Sequence, residues 1–491
     1  MNFFETTIAN LSPSWGASRA KSRNVIKAFE AAKPSRTHKA NREKNSANQA
    51  VFAAGQSLRE QARWLDNNHD ISIGILDKLE ERVVGPKGIM IEPQPRNKGG
   101  AINVKFAELI SERFKNWSLK PETTGRFARS SMERLVLRSW LRDGEIFAQV
   151  LRGHVPGYKY LTNTKFAIEL LEADFVPMFN EVKNGVRQGI QTNAWGRATG
   201  YHVLYDHPSE SFYSSKSKVI PAERMLHLAL IKRVHQLRGV SLFHGVITRF
   251  SDLKEYEESE RVAARIAAAL GMYIKKGSPD LYEAKTGEED KRQFDLGVGS
   301  VWDTLEPGED VGMIESNRPS AAVVPWRSGQ LRAGSAGMRS SYSSIARDYN
   351  GTFSSQRQEL VEAHIGFQVL QDEFVNQWSR PVYRGWLEME LLNGIKVPTE
   401  LDKDTLFDGL YLGPTMPWID PKKEADAMET LKENKVASRS EWIRNRGENP
   451  REVMRQIDAE DKEYPQPDKA PKDKDKPDET EPPVDSNTSQ S

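Results

Sequence analysis

The chain has 491 residues, of which 28% are charged and 37% hydrophobic, with a net charge of +1 and no cysteine. These values exclude disulfide staples, thiolate zinc sites and a cysteine nucleophile, and they exclude a chain that is basic throughout, as a general nucleic-acid binder is. No apolar run approaches the roughly 20 residues needed to cross a bilayer, and the opening MNFFETTIANLSPSW lacks the basic-then-apolar order of a secretory signal.

The near balance of charge conceals segregation. Residues 19–44 carry nine Lys or Arg against two acids, which suits either an arm that meets a polyanion or partner surface or a solvated segment. A polar linker or arm follows at 35–49. A helix is predicted from about Asn48 to Asn67, where Ala50, Ala53, Ala54, Leu58, Ala62 and Leu65 recur at helical spacing. A second runs from about Ile71 to Val84 and stops at Gly85-Pro86. GIMIEPQP reads as a strand. A helix over about Arg126–Gly144 leads into the strand pattern EIFAQVLRG. FAIELLEADFV, GVRQGIQTNAWGRATGYHVLYDH and MLHLALI add strands, with turns at Asn184-Gly185 and Trp195-Gly196. Residues 60–240 are predicted to form one α+β domain with a largely antiparallel sheet.

After Gly239 the character changes. A long Ala-, Glu- and Arg-rich helix is predicted from about Leu242 to Lys275, then a small β-containing insertion over 277–325, then a helix from near Val324 to about Tyr349. The polar break NGTFSSQ separates it from a helix over Ser355–Leu392, interrupted or bent at Pro381. Two or three short helices fill 420–460, with an N-cap at Ser438 or Ser440. The last 31 residues hold nine acids, five lysines and six prolines, too little apolar surface to offset the entropy of ordering, so disorder is expected from about Asp461. There is no internal repeat. A globular enzyme rarely spends so much chain on an out-and-back helix pair.

Catalytic devices are not found. There is no GxxxxGK[ST] phosphate loop, and Gly334-Ser335-Ala336-Gly337 has the wrong spacing for a nucleophile elbow. His202, His207, His227 and His235 lack ligand spacing and read as sheet and surface residues. Glu169, Glu172 and Asp174 could hold Mg²⁺, but solvated carboxylates are commoner in such a setting. The interaction signals are stronger. In the helix after Ser251, Glu257 with Arg261 and Glu260 near Arg265 are helix-stabilising pairs. Ala263, Ala264, Ala267 and Ala268 would let helices of neighbouring copies approach closely. Arg327, Arg332, Arg339 and Arg347 form no clean stripe; with Arg357 they fit proximity to DNA and pairing between subunits equally. Asn350-Gly351 favours a turn, flanked by Tyr349 and Phe353, which are expected to anchor its base by burial.

Many segments in register resemble the lambda-like family of tailed-phage portal proteins: LREQARWLDNNHDISIGILDKLEERVVGPKGIMIEPQ (58–94), RSWLRDGEIFAQVL (138–151), LLEAD (170–174), NAWGRATGYHV (193–203), IPAERMLHL (220–228), QLRGVSLF (236–243), DYNGTFSSQRQELVE (348–362), WIDPKKEADAM (418–428) and SRSEWIRNRGENPREVMRQ (438–456). The resemblance spans about residues 8–460. It implies the α+β portal fold and a homo-oligomeric ring of twelve subunits at one capsid vertex. The parts would be a basic arm (1–59), an α+β wing (60–245), paired stem helices (246–275 and 326–347) around a small β-containing clip (276–325), a tunnel loop (348–356), a long helix (357–398), a helical crown (399–460) and a tail (461–491). The tunnel loop would comprise Asp348, Tyr349, Asn350, Gly351, Thr352, Phe353, Ser354, Ser355 and Gln356. The implied role is structural, without catalysis or cofactor: a channel for packaging and ejecting double-stranded DNA, read without sequence preference. The implied partners are the terminase motor, the major capsid protein and scaffold, and a head-tail connector or adaptor, with no membrane. The location would be the virion, with the host cytoplasm during assembly. The alternatives are another connector ring of the head-tail joint, or a DNA-processing enzyme subunit, which would need a carboxylate metal cluster or a phosphate loop.

Overall fold

The computed structural model describes residues 12–15, 36, 39, 41–210, 216–268, 272–276, 309–313, 322–416 and 420–464. Most of the basic segment 19–44, most of the insertion 277–325 and the tail beyond 464 lie outside the described residues, together with the expectations placed on them.

Ser46 caps the first described long helix, α1 (Ala47–Asn68), by accepting from Gln49 N. His69 separates it from α2 (Asp70–Val83) and caps α2 through Nδ1. Strand β1 (Met90–Pro93) follows, then α3 (Val104–Trp117), which Asn103 caps and which the sequence reading did not foresee. Helix α4 (Arg129–Asp143) ends on Gly144, at φ 89°. The glycine is needed because an added Cβ would lie 2.3 Å from the Val240 carbonyl carbon.

The strands divide between separate antiparallel sheets rather than one. β2 (Glu145–Arg152) is central to a three-stranded sheet, between β3 (Phe166–Leu171) and β8 (Met225–Ala229). A four-stranded meander joins β4 (Val186–Arg187), β5 (Ile190–Thr192), β6 (Ala198–Leu204) and β7 (Ser217–Pro221). Gly185 and Gly196 hold its turns at φ 65° and 78°.

A 3₁₀ turn at Leu242–Gly245 precedes α5 (Ile247–Ala268). The helix expected to reach Lys275 stops at Ala268: β9 (Met272–Lys276) pairs antiparallel with β10 (Glu309–Met313) instead. Gly271 is a poor helix former, and MYIKK suits a strand. The helix expected over Val324–Tyr349 is also two pieces, α6 (Val323–Gly337) and α7 (Tyr342–Ala346). Two glycines and three serines between 334 and 341 weaken it, and Arg339 turns the chain at φ 53°.

Helix α8 (Phe353–Phe374) continues through a π-turn at Val375–Ser379 into α9 (Arg380–Leu392). The expected interruption therefore falls just before Pro381, where a wide turn accommodates the missing N–H donor. β11 (Gly409–Leu412) returns to pair with β1, Ile91 facing Tyr411. Three helices, α10 (Pro421–Glu433), α11 (Arg439–Asn445) and α12 (Pro450–Glu463), follow, with Ser438 capping α11.

The main core packs α2 and α4 against β2 and the α8–α9 rod, through Ile75, Leu79, Leu137, Trp140, Phe374, Trp378 and Trp386. Phe114 meets Trp386 edge-on at 4.9 Å. A smaller core joins the two larger sheets through Phe147, Tyr201, Val203 and Ile220.

Candidate channel-lining segment

Helices α5 and α6 lie side by side with opposite chain direction. Arg327 Nε meets Glu257 Oε1 at 2.6 Å, Arg249 bonds Gln330, and the rings of Tyr256 and Trp326 are 4.3 Å apart. Arg327 thus has a partner within its own chain. Glu257 accordingly pairs with Arg327 rather than with Arg261, which bonds Glu258. Gly334 sits against the Phe250 ring, where a Cβ would approach to 2.5 Å, so the Gly-Ser-Ala-Gly run serves close packing. Ala263 and Ala264 are half-buried, beside Val262 and Ile266, which are 42% and 53% exposed. Ala267 and Ala268 complete the helix.

The break after α6 is tied down at three points. Ser343 N donates to Glu359 Oε1 at 3.0 Å. Tyr342 Oη donates to Asp348 Oδ2 at 2.9 Å and lies 3.3 Å from Ser328 Oγ. The Arg332 guanidinium covers the Tyr342 ring at 5.0 Å. The Tyr342 hydrogen bond, with one from Asn350 N, holds the Asp348 carboxyl below its ordinary range.

Arg347, at φ 53°, ends α7, and the loop proper is 347–352. Thr352 caps α8, so Phe353, Ser354, Ser355 and Gln356, expected in the loop, already form the first helical turn. The cap chemistry of Thr-x-x-Ser outweighs the turn preference of the serines. Gln356 bonds back to the Tyr349 carbonyl. Tyr349 and Phe353 are 58% and 62% exposed; the expectation that they anchor the base is overturned, because Tyr342 and Glu359 do that work. Arg339, Arg347 and Arg357 are exposed.

Sequence reasoning missed the face that continues from Phe353. Val361, Ile365 and Val369 follow at four-residue spacing along α8 and are 38%, 58% and 47% exposed. Their spacing was legible, but helical periodicity alone does not separate a core face from one left open.

The acidic cluster resolves differently from expectation. Glu172 and Asp174 gather with His207, whereas Glu169 lies on β3 opposite Gln149. Asp174 is engaged by Arg59 at 3.2 Å and by Arg63 at 2.5 Å, so arginines supply the counter-charge. Behind it lies Glu145, fully buried and bonded by Arg238 Nε at 2.8 Å, Arg59 Nη2 at 3.1 Å and His227 Nε2 at 3.1 Å. Burial opposes its ionisation. Arg238, the His227 hydrogen bond and Arg59 outweigh burial and hold this carboxyl well below the carboxylate range. His227 also stacks on Phe147, His202 meets Phe179 edge-on, and the His235 carbonyl accepts from Asn48. The His227 and His202 rings are thus held by packing, whereas His207 stands with Glu172 and Asp174. Among the described residues, no helix is long and apolar enough to cross a membrane.

A mixed helix and sheet body carrying an out-and-back helix pair and an exposed loop is the setting in which the sequence comparisons fall. The chain matches the lambda family of phage portal proteins over residues 33–371 and belongs to that family. It is 25% identical over 431 residues to a protein described as a probable portal protein of Halomonas phage phiHAP-1, covering 84% of this chain and 81% of that one. Among solved structures it is similar to a chain in the virion of a native gene transfer agent particle, at 11% identity and a TM-score of 0.47, covering 82% of this chain and 99% of that one. It is also similar to a chain in the neck of the native particle, at 11% identity and a TM-score of 0.44, covering 79% and 92%.

Proposed function

We propose that copies of this chain close into a ring of twelve, set in the virion at the capsid vertex, through which double-stranded DNA is packaged and ejected. The ring is a conduit without catalysis of its own: the terminase motor docks during packaging and a head-tail connector later. In this reading residues 60–245 form the wing, α5 and α6 the stem around the clip, 347–352 with Tyr349 and Phe353 the channel constriction, and 399–460 the crown. Family membership supports the role.

The observation that carries the ring is the row of Val361, Ile365 and Val369 at four-residue spacing along α8, all left exposed. A single subunit leaves these side chains in water, and contiguous exposed apolar surface of this kind marks association. The near-zero net charge suits passage, because each phosphate contact adds affinity that would hold DNA still.

The experiment is electron microscopy and mass photometry of the purified chain and of Ile365→Asp. Rings with a central channel, lost in the variant while circular dichroism is unchanged, are the expected result. A wild-type chain that stays monomeric at micromolar concentration would remove the reading.

A further inference from the structure

A cavity of about 160 Å³ opens between α2, the turn from Ser340 to Ser344, and α8. A water's share of liquid is about 30 Å³, so the space accepts a larger group. Its polar lining comprises Lys78 and Arg82 from α2, Ser340, Ser341 and Ser344, and His364 from α8. Leu360, Ala363, Phe367 and Met416 are its apolar lining.

Lys78 pairs with Glu81 at 2.6 Å. Among the described residues, no carboxylate pairs with the half-buried Arg82 guanidinium, and the His364 ring and the Ser344 hydroxyl have no hydrogen-bond partner. Ser340 Oγ is shielded from solvent and is likewise unpartnered. A shielded hydroxyl without a partner is uncommon, and Ser340 Oγ shares this cavity with a guanidinium that has no paired carboxylate among the described residues, so the lining calls for an acceptor. The wall is rigid: Gln371 Nε2 donates to the Arg82 carbonyl at 3.0 Å and to the Pro414 carbonyl at 2.9 Å. Burial, and then the nearby Arg82 charge, lower the His364 pKa and favour its neutral ring.

We infer that this cavity binds a phosphate group, held by the Arg82 guanidinium, the Ser340 and Ser344 hydroxyls and the His364 ring. Arginine presents a planar fork of donors that matches phosphate oxygens, and the serines supply neutral donors without a fixed direction. The phosphate is either a free ion or one group of a nucleic-acid backbone; the recognising chemistry is the same. The site lies beside the Ser341–Ala346 turn that anchors the exposed loop, so occupancy would stiffen the loop's foundation.

The test uses the full chain in its native assembly, in phosphate-free buffer at constant ionic strength. Inorganic phosphate is titrated calorimetrically and by NMR of ¹³C-labelled histidine, with His364→Gln identifying the signal. The expected result is saturable binding that moves the His364 resonance, is not reproduced by chloride, and weakens about tenfold or more in Arg82→Gln. If Arg82→Gln does not fold, the Ser340→Ala, Ser344→Ala double variant takes its place, with weakened binding expected. Displacement of phosphate by a short DNA duplex assigns the backbone as the source, and failure to displace it assigns the free ion. No saturable binding, or equal binding in wild type and all variants, overturns the inference.

Discussion

Arg444 grips Glu92 with two hydrogen bonds, Nε to Oε2 at 2.9 Å and Nη2 to Oε1 at 3.2 Å, across 352 positions of sequence. Arg451 adds a bond to the Pro93 carbonyl at 3.2 Å, and Lys87 meets Glu448 at 2.7 Å. Helices α10, α11 and α12 bury only Pro450 among their own residues. Helices α11 and α12 are therefore docked on β1 largely by charge, through Arg444 and Arg451, on a carboxylate that is 1% exposed.

Glu92→Gln should release these helices locally. The lost charge-assisted bonds are worth about 1–3 kcal/mol, so hydrogen exchange over 439–463 should accelerate while α2 and α4 keep their protection. Added salt should act in the same direction on the wild type.

Glu145→Gln should destabilise the whole wing by about 3–5 kcal/mol, because it strands the buried Arg238 without a counter-charge. The pH dependence follows from the depressed folded-state pKa of Glu145. Its contribution is complete above the unfolded value, about 4.3, and is lost as pH falls below that toward the folded value. Thermal melts from pH 7 to pH 2 should show a steeper acid loss in the wild type than in Glu145→Gln.

Gly144→Ala should cost about 2–5 kcal/mol, from a left-handed alanine together with a backbone collision at Val240 and Ser241. Gly196→Ala, also at positive φ but with nothing near its Cβ, should cost only the conformational part, about 1–2 kcal/mol. Denaturant titration of both variants separates the collision from the strain.

Thr352→Ala should destabilise the start of α8 by about 1 kcal/mol through loss of the cap to Ser355. Phe353→Ala, one position on, should change subunit stability by less than about 0.5 kcal/mol, since its ring is exposed. Packaging and genome retention should respond to Phe353→Ala and not to the cap variant. A large stability loss for Phe353→Ala would place its ring in a core.

The elements with strong periodicity and a stop signal were legible. α1, α2 and α4 fall within a few residues of expectation because Gly85-Pro86 and Gly144 punctuate them. Helix α3 was missed because its apolar residues are diluted by Lys105, Glu108, Glu112 and Lys115; its Asn103 cap was the available signal. The α5 and α6 errors share a cause: alanine and glycine runs carry propensity but little direction, so β9 and the Arg339 turn are set by longer-range pairing and packing. Tyr349 and Phe353 were misread because aromatic burial is a tendency of the residue type, and what decides it here is the Tyr342–Asp348 contact, invisible to spacing. The Glu145–Arg238 pair could not be read at all, since 93 residues separate partners that only the three-stranded sheet brings together.

The π-turn at Val375–Ser379 gives the α8–α9 rod a mechanical character. Below it, Tyr383, Trp386 and Leu387 are clamped in the main core. On its other side, Phe367, Leu370 and Phe374 of α8 are buried in the same core, while Val361, Ile365 and Val369 stay open. The stretch from Phe353 to Gly366 lies beyond that clamp and spans about 21 Å at 1.5 Å per residue. A tilt of about 5° there would move the Thr352 end by about 2 Å, so a small strain passed along the rod is magnified at the exposed loop.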